Sequence, residues 1–156
     1  MDLTLFATYL LACGAAATTG AMFKPGAWYD ALSKPVWTPP GWVFPVAWSI
    51  LYLCMSASAA RVAALPDTGH ALALWSVQIA VNTLWTPVFF GLHRIRAAMV
   101  VMVGLWLSVA ATTVAFALQD TTAGWLMLPY LVWVTIAAAL NLSVMQRNPD
   151  VVPVTA

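Results

Sequence analysis

Residues His70–Gly91 read HALALWSVQIAVNTLWTPVFFG, and this stretch decides the fold class. It holds no Asp, Glu, Lys or Arg, and a helix needs about 20 apolar residues to cross the hydrocarbon core of a membrane. Yet Trp75, Gln78, Asn82, Trp85 and Phe89 recur at steps of three and four, which is the spacing of one helical face. An Asn or Gln amide bared to lipid costs several kcal/mol. That face must look toward other helices, so the span belongs to a bundle.

The remaining chain agrees. Of 156 residues, 63% are hydrophobic and 7% charged, with a mean hydropathy of +0.88, whereas soluble domains carry roughly a quarter charged residues. Lipid is therefore the solvent. A net charge of +1 without any Lys/Arg cluster excludes nucleic acid as a partner. Four further stretches are long and apolar enough to span: Leu3–Phe23, Trp42–Leu65, Ala97–Leu118 and Ala123–Met145. The expected fold is all-α, a single domain over residues 1–156. It is an integral membrane bundle of five transmembrane helices with a long structured loop between the first two. Short connections from the second span onward predict antiparallel neighbours. The run YLLACG around Cys13 has the look of a lipoprotein cleavage site, but Asp2 stands where a signal peptide needs positive charge, so a retained helix is expected. Cys13 and Cys54 have neither disulfide nor metal spacing.

Lys24, Lys34, Arg94, Arg96 and Arg147 fall at one end of the bundle and Arg61 at the other, close enough to its helix end to reach outward. The positive-inside rule then puts the C-terminus in the cytoplasm and the N-terminus outside. The loop Lys24–Gly41 carries Trp28, Tyr29 and Trp37, which need a surface to cover. Gly26–Ser33 is expected to form two helical turns between Pro25 and Pro35. Pro35, Pro39 and Pro40 stiffen the second half of the loop, and the whole reads as a lid.

Two more spans carry stripes: Pro45, Trp48, Ser49, Tyr52 and Ser56 on the second, and Tyr130, Trp133, Ala137 and Asn141 on the fifth. Counting about 1.5 Å per residue puts Trp48 and Trp85 roughly 9 Å below the lid end, Asn82 and Ala137 about 12–14 Å down and Trp133 near mid-bilayer. Thr18 and Thr19 of the first span reach the same zone. Aromatic stripes also arise from plain packing, and Gln78 and Asn82 could merely bridge helices. Three stripes at one depth, with small residues opposite and a stiff lid above, favour a ligand cavity. Trp28, Trp42, Trp75 and Trp125 are assigned to interfacial belts, and Gly104, Ser108 and Thr112 to close helix packing. No Asp, Glu, Lys or His lies deep in a span, so neither a catalytic set nor a metal site is expected, and an ion-coupled pump lacks its buried charge.

The motifs KPVWTPPGWVFPVAWSILY (Lys34–Tyr52), Gln78 with NTLWTPVFFG (Asn82–Gly91), and LPYLVWVTIAAALN (Leu128–Asn141) resemble, in order and over nearly the whole chain, the tryptophan-rich sensory protein and translocator protein family. The resemblance implies five helices, a homodimer and a pocket closed by the first loop that takes porphyrins such as protoporphyrin IX. It also implies binding of isoquinoline carboxamide and benzodiazepine-type drugs. Carried over by motif, the ligand-binding residues are Tyr29, Pro39, Trp48, Tyr52, Asn82, Trp85, Trp133 and Ala137. No cofactor beyond the porphyrin ligand is implied, and a metal-free porphyrin suits a site with no buried histidine. A membrane-embedded tetrapyrrole sensor or binding protein leads the functions. Alternatives are a passive transporter of porphyrins or lipids, and light-dependent porphyrin degradation in which Trp48 and Trp133 take part. The cholesterol motif of the animal branch has Leu142 in its tyrosine position, which argues against specific sterol recognition. Gly14–Thr18 and Gly104–Ser108 both offer small-residue faces for a dimer.

Overall fold

A computed structural model describes residues 2–150. Its elements are α1 (Leu3–Met22), α2 (Ala27–Ala31), α3 (Val43–Ala63), α4 (Gly69–Thr86, continued by a π-helical turn over Pro87–Gly91), α5 (Ile95–Gln119) and α6 (Thr121–Arg147). Five of them, α4 taken with its π turn, are long and apolar enough to cross a membrane. Their bounds differ from those read off the sequence by about two residues at most, the ordinary play of helix ends. The chain is an integral, multi-pass, all-helical membrane bundle.

Local chemistry accounts for the ends. Asp2 caps α1, its carboxylate accepting from Thr4 N at 2.8 Å and Leu5 N at 3.1 Å. Pro45 lies in the first turn of α3, where a missing N–H costs nothing. Pro87 cannot donate to the preceding turn, and the chain widens there, so that Leu92 N bonds back to Pro87 O at 2.9 Å. The lid helix α2 is shorter than the two turns expected. Lys34 Nζ donates to the carbonyls of Tyr29 (2.6 Å), Asp30 (3.2 Å) and Leu32 (3.1 Å), so the ammonium caps carbonyls that a further turn would have used.

Each long helix packs against two others, giving a ring in the order α1, α3, α6, α5, α4. This corrects the expectation that consecutive spans are packing neighbours. The loop joining α3 and α4 is short, but the two helices touch only lightly because α1 lies between them. α1 fits there because its buried positions are the small Cys13 and Ala16. The half of the ring away from the lid is packed largely by Met55, Ala59, Val62, Val109, Phe116 and Met127. At that end Arg61 reaches Asp120 through both Nε (2.9 Å) and one Nη (2.7 Å). Asp120 also caps α6, accepting from Thr122 N and Ala123 N.

Burial opposes the charged form of Asp120, but the Arg61 bond and the two backbone N–H groups outweigh it and hold the carboxyl below its usual pKa. A pKa depressed on folding contributes stability that is complete above the unfolded value and lost as pH falls through the folded one. Thermal stability in detergent is therefore expected to be flat in this term above about pH 5 and to decline below about pH 4. Because Arg61 is 38% exposed, the ion pair is worth about 1 kcal/mol at most. Asp120→Asn keeps the cap and should flatten that acid limb; an unchanged limb would remove the pair from the account.

Candidate ligand cavity

Beneath the lid the ring does not close on itself. A cavity of about 830 Å³ occupies this half of the bundle, bordered by all five long helices and the loop, α5 contributing Met102 and Leu105. Trp48 and Tyr52 form the α3 wall, their rings 5.3 Å apart and tilted by 32°, with Tyr130 edge-on to Trp48 at 5.9 Å. Trp85 stands on α4, stacked on Phe89 at 5.0 Å and 19°. Trp133 and Ala137 form the α6 wall, with Phe44 edge-on to Trp133 at 5.8 Å. Each indole is braced by a neighbouring aromatic ring rather than by another of the three. The opposite wall is small, made by Ala16, Ala17 and Gly20 of α1.

Polar groups hold this frame in place. Trp85 Nε1 donates to Asn141 Oδ1 at 3.3 Å, and Asn141 Nδ2 donates to Ile95 O at 3.4 Å, so α4, α5 and α6 are tied behind the indole. At the floor Asn82 Nδ2 donates to Tyr130 Oη at 2.9 Å, while Tyr52 Oη reaches Asn82 Oδ1 at a long 3.5 Å. The mouth is the charged part, with Asp30 and Lys34 both on the cavity rim. Lys34 also lies 4.5 Å over the Tyr29 ring. Burial, and then the Asp30 charge, raise the Tyr29 pKa, so the lid tyrosine stays a neutral hydrogen-bonding phenol.

Two fastenings hold the lid down. Trp28 stacks on His93 at 4.2 Å and 14° and meets Phe89 edge-on at 5.6 Å, while Tyr29 meets Phe90 at 5.4 Å. On the other side Asn148 brackets Ser33: Ser33 N donates to Asn148 Oδ1, and Asn148 Nδ2 donates to Ser33 O, both at 2.9 Å. Asn148→Ala removes both bonds, each worth about 1 kcal/mol. Amide exchange over Ser33 and its neighbours, measured by mass spectrometry, is expected to quicken by up to roughly thirtyfold. Unchanged exchange would mean that the aromatic clamp alone holds the loop.

The eight residues singled out from the sequence, Tyr29, Pro39, Trp48, Tyr52, Asn82, Trp85, Trp133 and Ala137, all border this one cavity. Thr19 joins them, but Thr18 faces outward and bonds to Ala15 O. Trp42 and Trp125, 68% and 67% exposed, occupy helix ends as a belt would. Trp75 does not belong to a belt: it is 3% exposed, packed edge-on to Tyr9 at 4.8 Å, because α1 covers that face of α4. Trp28 likewise serves the lid clamp. Gly104 is exposed and meets no neighbouring helix, whereas Gly124 is the close contact, between α6 and α5. Sequence reading missed Phe90, which the π turn swings to the cavity beside Phe89, and Asn148, whose role depends on where the lid lands. Pro87 was the signal for the first; nothing in the sequence marked the second.

The profile of the TspO/MBR family matches residues 6–147. The chain is 58% identical to the protein CrtK of Rhodobacter capsulatus, with 99% of each chain covered. It is 56% identical to the tryptophan-rich sensory protein of Cereibacter sphaeroides over 95% of this chain and 94% of that one. To the human translocator protein it is 34% identical over 78% of this chain and 75% of the other. By the extent of these matches and by its five membrane-spanning helices, the chain belongs to the TspO/MBR family.

Proposed function

We propose that the chain binds a flat tetrapyrrole such as protoporphyrin IX in the cavity beneath the first loop, and that this binding underlies a sensory role. The single observation that carries the reading is the convergence of Trp48, Trp85 and Trp133, from three helices, on one cavity of about 830 Å³. That size lies within the range of sites for a single organic ligand, and such sites are mostly apolar with a few orienting polar groups. Indole faces suit a planar apolar macrocycle, and the polar rim suits the carboxylates at its edge. Lys34 is committed to three carbonyls, so a carboxylate there would add to an existing cap rather than meet a free ammonium. Isoquinoline carboxamide and benzodiazepine-type drugs would occupy the same cavity and compete with the porphyrin.

Titrating protoporphyrin IX into purified protein in lipid nanodiscs tests this. A saturable shift of the porphyrin absorbance at one site per chain is expected, together with stabilisation approaching about 2.7 kcal/mol at a hundredfold excess over Kd. No spectral shift and no stabilisation would end the proposal. We further propose that the lid end is cytoplasmic, as Lys24, Lys34, Arg94, Arg96 and Arg147 gather there; labelling of an engineered cysteine beside Lys24 only from outside the cell would refute it. A homodimer is proposed as well, through the outward faces of Gly14 or Gly104, where nothing lies within 4 Å of an added Cβ. Sedimentation at the monomer mass in mild detergent would remove it.

A further inference from the structure

One helical turn below the cavity floor, α4 carries two buried polar groups with no protein partner. Gln78 is fully buried, and neither its Nε2 nor its Oε1 meets a hydrogen-bond partner among the described residues. Trp75, three residues earlier on the same face, holds its Nε1–H equally bare. The polar groups on neighbouring elements are engaged elsewhere. Ser56 Oγ bonds to Tyr52 O at 2.7 Å and Cys13 Sγ at 3.5 Å, and Asn82 donates to Tyr130. On the α1 side the Tyr9 ring packs against Trp75. Sequence alone allowed Gln78 to bridge helices; it bridges none.

An amide with both ends unpaired is strongly disfavoured in a membrane interior, where no bulk solvent completes its bonds. We propose that Gln78 and Trp75 Nε1 form a binding site for internal water, about 6 Å along the helix axis below Asn82. The chemistry is complementary. The indole N–H donates to the water oxygen, a water hydrogen bonds to Gln78 Oε1, and Gln78 Nε2 donates to the remaining lone pair of that water or to a second one. A buried water typically makes about three such bonds. The long Tyr52–Asn82 contact of 3.5 Å is the weakest seam in the floor above, and it is the route by which this water exchanges with the cavity. The floor therefore has a hydrated layer beneath it, one that a polar substituent on a cavity ligand displaces when it passes Asn82. That last consequence rests on the ligand reading above; the water site does not.

The test needs no porphyrin, so its failure is separable from failure of the ligand proposal. In ¹⁵N-labelled protein in nanodiscs, water-selected magnetisation transfer is measured to the Trp75 indole N–H and the Gln78 side-chain amide. Trp75→Phe and Gln78→Leu assign the two signals. Both groups are expected to receive transfer from a long-lived water, and the Trp75 transfer should fall severalfold in Gln78→Leu. Thermal unfolding gives a second reading: if water satisfies the amide, Gln78→Leu strands the Trp75 N–H and lowers the midpoint. A raised midpoint, or no transfer to either group in the folded wild-type protein, overturns the proposal. Should Gln78→Leu fail to fold, the wild-type transfer alone decides.

Discussion

Changing Trp48 and Trp133 together to alanine is expected to weaken protoporphyrin IX binding by roughly a thousandfold. A buried aromatic anchor at the centre of a binding surface is commonly worth about 2 kcal/mol or more, and each 1.4 kcal/mol is tenfold in Kd. These two indoles stand on separate helices, α3 and α6, and border the same cavity. Neither is the sole support of its wall: Trp48 leans on Tyr52 and Tyr130, and Trp133 on Phe44. The bundle should therefore keep its fold while the ligand loses two stacking faces. Porphyrin absorbance is the suitable readout, since tryptophan quenching would change merely because the fluorophores are gone. Trp125→Phe, at a residue 67% exposed and away from the cavity, is the control and should bind as the wild type does. A folded double variant that binds within a fewfold of wild type would show that the indoles are packing rather than recognition.

The largest effect on stability is expected from one added methyl group. A Cβ built on Gly124 would lie 2.5 Å from Ala117 Cβ and 2.7 Å from Ala117 Cα. Backbone cannot step aside as a long side chain can, and α5 and α6 make the most extensive helix contact in the molecule. Gly124→Ala gains about 1 kcal/mol of helix propensity, but forcing an overfilled contact apart costs about 3 kcal/mol. The net expectation is a loss of about 2 kcal/mol, read as a clear fall in the unfolding midpoint. Gly104→Ala meets nothing within 4 Å, so it should be neutral or slightly stabilising as a monomer. If the two variants unfold alike, close approach at Gly124 is not what joins these helices.

The contrast between those two glycines marks how far the sequence could be read. Both sit on long helices among small residues, and the spacing of Gly104, Ser108 and Thr112 looked the better packing seam. Which glycine meets a neighbour depends on how α5 is rotated within the ring, and a residue pattern does not encode that rotation. Trp75 teaches the same lesson. At a helix face in isolation it suited a belt, but α1 enters between α3 and α4 and buries it. The cavity residues were more legible, because polar and aromatic side chains at helical spacing cannot face lipid on α4, and their counterparts on α3 and α6 fall at matching depth. Phe90 escaped because periodicity assumes 3.6 residues per turn, and Pro87 breaks that count.

Residue order alone dictates that this chain crosses a membrane five times, which faces of α4 and α6 turn inward, and where its charges gather. Those properties arise from transfer free energies along one dimension: apolar length against hydrocarbon thickness, and polar side chains against the cost of baring them. Ring order, the reach of Lys34 to its three carbonyls, the hold of Asn148 on Ser33 and the isolation of Gln78 emerge only in the packed bundle. Each depends on which surfaces meet across the ring, and that is a property of helices already rotated and in contact.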